Sequence, residues 1–192
     1  MNIAQKLLLT EPHVCPWWLA YTFDNPFRRL IHQPEKIFGP HLEKGMTAVD
    51  MGYGMGYFSI ALAKLLGNSG NVVSVDIQQK MLDIIQKRAG KAGVAHRIHT
   101  QCGSSDAIGL PFGFGDLVLA FWMVHEVPQM EMFIQEIFMI LKPGGKFLLV
   151  EPKIHVSLEL FERICTHATR SGFAVLENPR IALSHATWFK KY

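Results

Sequence analysis

The chain is sparing with charge, with cysteine and with long apolar runs. Only 18% of its 192 residues are charged, against 49% hydrophobic. That balance excludes an intrinsically disordered chain, which needs the reverse. No apolar run approaches the ~20 residues of a membrane-spanning helix, so no membrane partner is expected. The only continuous apolar segment near the start is Leu7-Leu8-Leu9, too short for a secretory signal. The three cysteines, Cys15, Cys102 and Cys165, are widely separated. They form neither a disulfide framework nor a metal knuckle, and a reducing cytoplasm is the expected compartment. Lysine and arginine total 19 against 16 acids, with no basic run. This argues against a DNA partner. Repeats and low-complexity tracts are also missing. A single domain with a substantial core remains.

Apolar strand patterns alternate with helical ones. Strands are expected near Thr47–Met51, Asn71–Asp76, Arg97–Gln101, Leu117–Phe121, Lys146–Glu151, Phe173–Leu176 and Ala186–Phe189. Helices are expected near Tyr57–Leu66, Gln79–Ala92, Met130–Leu141 and Leu158–Ser171. Ser157 reads as an N-cap and Gly172 as a helix stop. The alternation implies an α/β fold with a mostly parallel sheet and helices on both faces. About ten residues without helical pattern join the last two strands. That is too short for a parallel crossover, so the pair should be antiparallel.

The most informative stretch is Thr47-Ala-Val-Asp-Met-Gly-Tyr-Gly-Met-Gly56. A strand runs into Asp50 and then into Gly52, Gly54 and Gly56, with a helix pattern following. Such a turn lets a ligand approach bare backbone and the helix N-terminus. The dinucleotide fingerprint needs glycines at its first, third and sixth positions. Counted from Gly52, the sixth is the bulky Tyr57. The second strand ends in Asp76, where a carboxylate can accept from both hydroxyls of a ribose. Further on come Asp106-Ala107 with Gly109-Leu110-Pro111-Phe112, and then Leu141-Lys142-Pro143-Gly144-Gly145.

In this order, over Met46–Glu151, these four motifs resemble the class I S-adenosylmethionine (SAM) methyltransferases, in particular quinone-precursor and other small-molecule types. The resemblance implies a Rossmann-like seven-stranded sheet with an antiparallel C-terminal pair, and SAM as cofactor. It implies that Asp50, Gly52, Gly54 and Gly56 receive the amino-acid tail and Asp76 the ribose. Ile77 and Gln78 would flank the adenine, and Asp106 and Ala107 would bond its edge. Phe121 would border the cofactor, and Trp122 and Met123 the acceptor, because the loop after the fourth strand lies beside both. His125 in that loop titrates near neutral pH and is the candidate general base, with a structural histidine bonded to backbone equally open. The fifth strand brings Glu151 and His155 to the same edge, with His155 placed at the substrate. Glu151, His155 and His125 could hold a metal if they converged, but none is expected. The core also resembles arsenite methyltransferases, for which Cys102 and Cys15 would have to meet at the cleft.

Residues 1–44 lie outside the motif core and 45–192 form the catalytic domain. Trp17 and Trp18 in this aromatic, proline-broken segment are candidate substrate contacts, and a mere cover for the core is equally open. The expected function is methyl transfer to a small molecule. The alternatives are a protein or RNA acceptor, or a non-catalytic SAM-binding subunit. A homodimer is possible.

Overall fold

The computed structural model describes residues 28–52, 54–104 and 107–192. Its elements are α1 (Arg28–Ile31), α2 (Pro34–Phe38), β1 (Thr47–Met51), α3 (Tyr57–Leu65), β2 (Asn71–Asp76), α4 (Gln79–Lys91), β3 (Ile98–Cys102), β4 (Gly115–Phe121), α5 (Met130–Ile140), β5 (Leu141–Pro152), α6 (Leu158–Arg170), β6 (Phe173–Glu177) and β7 (Ser184–Lys191). The strands form a seven-stranded sheet of order β3-β2-β1-β4-β5-β7-β6. β1 pairs in parallel with both β2 and β4, while β7 runs antiparallel to β5 and β6. The order reverses at β1/β4, and the crevice outside the carboxyl ends there is where open α/β sheets bind ligands.

Side-chain alternation along the strands sorts the core into two layers. Val49, Val73, Val118, Phe147 and Leu149 face α5 and α6, packing with Ile134, Ile137, Phe161 and Ile164. Ala48, Val72, Leu117, Leu148 and Trp188 face the other side, packing with Phe38, Phe58, Leu62, Leu82 and Ile85. Both faces of the central strands β1, β2, β4 and β5 are dry, which explains their near-continuous apolar runs. Phe38 of α2 is fully buried in the second layer, so the described part of the N-terminal segment contributes to the core.

Three sequence expectations change in detail. The segment Lys142–Gly145, lying between the expected helix and strand, is instead part of β5, which follows α5 directly. Leu141 pairs with Gly115 and Lys146 with Leu117, and the intervening residues are taken up by an irregularity in the register of β4 against β5. The loop between β6 and β7 is residues 178–183, shorter than expected because both strands extend further. The prolines of the N-terminal segment do not prevent helix: Pro34 opens α2, where its missing N–H costs nothing. Ser157 caps α6 as expected, its hydroxyl accepting from the Leu160 N–H at 3.2 Å. Among the described residues no helix is long and apolar enough to cross a membrane.

Candidate active site

The turn after β1 is shaped by its glycines. Gly52 has φ +107°, and its N–H donates to the Val75 carbonyl at 3.1 Å. A Cβ there would lie 2.6 Å from Met123 Cγ, so any side chain would collide with the β4 loop. Gly56 is the N-cap of α3 with φ +82°. A Cβ on Gly54 would meet only the Gly56 nitrogen, at 3.9 Å, among the described residues, so the space beside it is open.

Two acids stand at this end of the sheet, on the α3/α4 side. Asp50 accepts from the Ser59 hydroxyl at 2.5 Å, and Ser59 Oγ accepts in turn from Ser74 Oγ at 2.9 Å. Asp50 lies opposite Ser74 in the sheet register, which is why α3 can close this chain. Burial pushes the Asp50 pKa up to about 6, with the Ser59 bond and the Arg28 charge acting against it. Asp76 is 4% exposed. Its Oδ1 accepts from the Gln78 N–H at 2.8 Å, while its Oδ2 is buried with no hydrogen-bond partner among the described residues. Burial again raises the pKa to about 6; the Gln78 N–H lowers it and the Asp50 charge raises it. A buried carboxylate oxygen without a donor is costly unless a ligand supplies one. The orphaned oxygen therefore fits a ligand that brings a hydroxyl donor, such as a ribose.

The second half of the site faces α5 and α6. Glu151 shares the parity of Phe147 and Leu149 on β5 and is fully buried. Its Oε1 accepts from the Val124 N–H at 2.8 Å and its Oε2 meets His125 Nδ1 at 2.5 Å. His125 Nε2 lies 3.8 Å from Glu126 Oε1, so Glu126 turns toward the histidine and not away from it. The His155 ring stacks beside His125, with centroids 6.3 Å apart. Burial lowers the His125 pKa, but the Glu151 hydrogen bond, the Glu151 charge and the Glu126 charge together outweigh it. The pKa ends above the ordinary 6.5.

The loop after β4 is held by long-range bonds. Trp122 has φ +61°, and its indole N–H donates to Ser184 Oγ at 2.9 Å. His32 of the N-terminal segment is buried against the rings of Phe121 and Trp122, with Nε2 3.0 Å from the Ala182 carbonyl.

The other expected site residues have varied surroundings. Met123 is 7% exposed and packs into the core against Gly52. The Ala107 N–H already donates to Ser104 Oγ at 3.0 Å. Ile77 is 40% exposed beside Asp76. Trp17, Trp18, Asp106 and Cys15 lie outside the described residues. Cys102 is exposed at the end of β3, whereas Cys165 is packed on α6 near Thr187. The two do not share a site, and the expected approach of Cys102 to Cys15 involves a residue outside the described ones. Among these residues no three metal-ligating side chains converge.

The model of the methyltransferase domain family matches residues 49–149, just over half of the chain. The chain belongs to that family. The methyltransferase is 36% identical over 113 residues to a demethylmenaquinone methyltransferase of Lactobacillus johnsonii, covering 57% of this chain and 45% of that protein. It is 23% identical over 107 residues to the ubiquinone/menaquinone biosynthesis C-methyltransferase UbiE of Vibrio vulnificus, covering 56% and 41%. The match thus spans less than half the length of either curated relative. The fold resembles a SAM-dependent methyltransferase from Aquifex aeolicus (TM-score 0.84, 20% identity, 93% of this chain and 100% of that one). It also resembles the [4+2]-cyclase SpnF (TM-score 0.67, 21% identity, 80% and 60%). The fold alone therefore does not set the reaction. The family does set the cofactor of the methyltransferase, which is SAM.

Proposed function

We propose that this methyltransferase transfers the methyl group of SAM to a small-molecule acceptor, with His125 as the general base. The observation that carries the reading is the His125–Glu151 pair. Glu151 has no proton to give as a carboxylate, so Nδ1 of His125 carries the proton between them. The neutral ring then presents Nε2 as the basic atom, the arrangement that makes a histidine a directed proton acceptor. Asp76 would hold the ribose through Oδ2, and Asp50 with the open Gly54 turn would receive the amino-acid tail.

SAM, when bound, supplies a methyl group on a sulfonium, whose C–S bond breaks as the acceptor atom bonds the methyl. His125 Nε2 takes the acceptor's proton, and Glu151 steadies the imidazolium that results. Trp122 and His155 flank the same edge and would orient the acceptor. The named chemistry of the relatives, methylation in quinone biosynthesis, favours a hydroxylated aromatic acceptor, whose carbon becomes nucleophilic once its hydroxyl is deprotonated. The test is methyl incorporation from labelled SAM into a panel of hydroquinones and phenols, beginning with 1,4-naphthohydroquinone. Turnover on a panel member supports the reading. Incorporation only into protein or RNA would replace it with a macromolecular acceptor.

A further inference from the structure

The methionine tail of SAM carries an ammonium and a carboxylate, so its site needs a cation as well as an anion. Asp50 offers the anion. Among the described residues, the cation whose charge acts on Asp50 is Arg28. The Arg28 guanidinium carbon lies 4.9 Å from the Phe58 ring centre, 5.2 Å from Tyr57, 5.6 Å from Phe121 and 6.0 Å from Trp122. Tyr57 and Phe58 open α3 immediately after Gly56, and Phe121 and Trp122 follow one another at the end of β4. The guanidinium is therefore placed over the β1/β4 switch point, beside the glycine turn.

The segment that carries it is anchored from several sides. His32, one helical turn on, donates its N–H to the Arg28 carbonyl at 2.7 Å. The His32 carbonyl accepts from Tyr57 OH at 2.7 Å, and its ring sits against Phe121 and Trp122. The His32–Ala182 contact ties the same turn to the β6–β7 loop. A guanidinium over aromatic faces is held by cation–π attraction, and its planar fork matches a carboxylate in two parallel bonds.

We propose that Arg28 binds the carboxylate of the methionine tail, so that α1 is part of the cofactor site as well as a cover for the sheet. The assignment rests on the placing of the tail at the Gly52–Gly56 turn. Calorimetric titration of the wild type, Arg28→Ala and Arg28→Lys with S-adenosylhomocysteine and with 5′-methylthioadenosine, which lacks the tail, tests it. Arg28→Ala should weaken S-adenosylhomocysteine by about 10- to 100-fold and change methylthioadenosine by less than about twofold, the pattern of a lost charged hydrogen-bond partner. Arg28→Lys should recover part of the loss. Unchanged binding of S-adenosylhomocysteine overturns the proposal. Tighter binding overturns it too, showing that Arg28 blocks the tail's place. Equal loss of both ligands shows that Arg28 serves only the fold; the unfolding midpoints of the unliganded variants report that directly. Failure of the wild type to bind either ligand removes the tail placement itself, and is seen before any variant is made.

Discussion

On the face covered by α3 and α4, the two acids proposed to hold the cofactor are reached by short connections: Asp50 meets Ser59 nine positions later, and Asp76 meets the N–H of Gln78 two positions later. On the face covered by α5 and α6, His125 depends on Glu151, 26 positions away. Trp122, by contrast, packs on the α3/α4 side and depends on Ser184, 62 positions away. The cofactor half is a local device of strand end, glycine turn and helix start. The proposed acceptor half exists only once β4 and β5 are assembled. Its electrostatics also differ in sign: burial holds both cofactor acids up to about 6, close to losing their charge, while buried Glu151 lifts His125 toward keeping its own.

The strongest break of that contrast is His125→Ala. Turnover should fall by about 10²–10⁴-fold, the usual range for a lost general base. Binding of S-adenosylhomocysteine should hold, because the cofactor acids lie on the other face. Normal turnover would show His125 to be structural.

Glu151→Gln should come next. An amide still fills the site but no longer fixes the Nδ1–H tautomer or supplies charge, and turnover should fall by about 10²-fold or more. The pH profile sharpens the reading. The wild-type rate should fall as pH drops through a midpoint above 6.5, where His125 gains its proton. In Glu151→Gln that midpoint should move down, since burial then acts with less opposition. A midpoint that stays in place would mean Glu151 does not tune His125.

A smaller effect belongs to the cofactor acids and stability. Each has a folded pKa of about 6 against an ordinary 3.8. Between those values the folded protein binds more protons than the unfolded chain, so their contribution to stability falls as pH rises from about 4 to about 6 and is constant above. His125, with a raised pKa, contributes stability that is complete below 6.5 and is lost as pH rises through its folded value. Thermal unfolding of the ligand-free protein should therefore show the carboxylate slope at pH 4–6, and Asp76→Asn should flatten it. An equal slope in that variant would place the buried charge elsewhere.

The contrast also explains what could be read from the sequence. Strand ends and glycines on the α3/α4 face carry their meaning in neighbouring residues, so spacing alone singles out Asp50, Gly52 and Asp76 as candidates. The same spacing suggested His125, but not its partner: Glu151 read only as one of several possible metal ligands. An acid closing an otherwise apolar strand was the signal, since such a group must be paired when buried. Ser59 and Ser74 lay hidden within apolar helix and strand patterns and acquire a role only through the Asp50 register. His32 and Arg28 sit in a segment of prolines and aromatics whose fold depends on contacts up to 150 positions away. The packing of Met123 is hidden for the same reason, because nothing local shows that the absent Cβ of Gly52 makes room for it.

The division of labour between the two faces is most directly tested by titrating S-adenosylhomocysteine into Asp76→Ala and His125→Ala alongside the wild type. The account predicts that Asp76→Ala loses ~1.5–3 kcal/mol of binding, the cost of a charged hydrogen bond to the ribose, while His125→Ala binds like the wild type. Equal affinity in Asp76→Ala and the wild type, or a comparable loss in both variants, would contradict it.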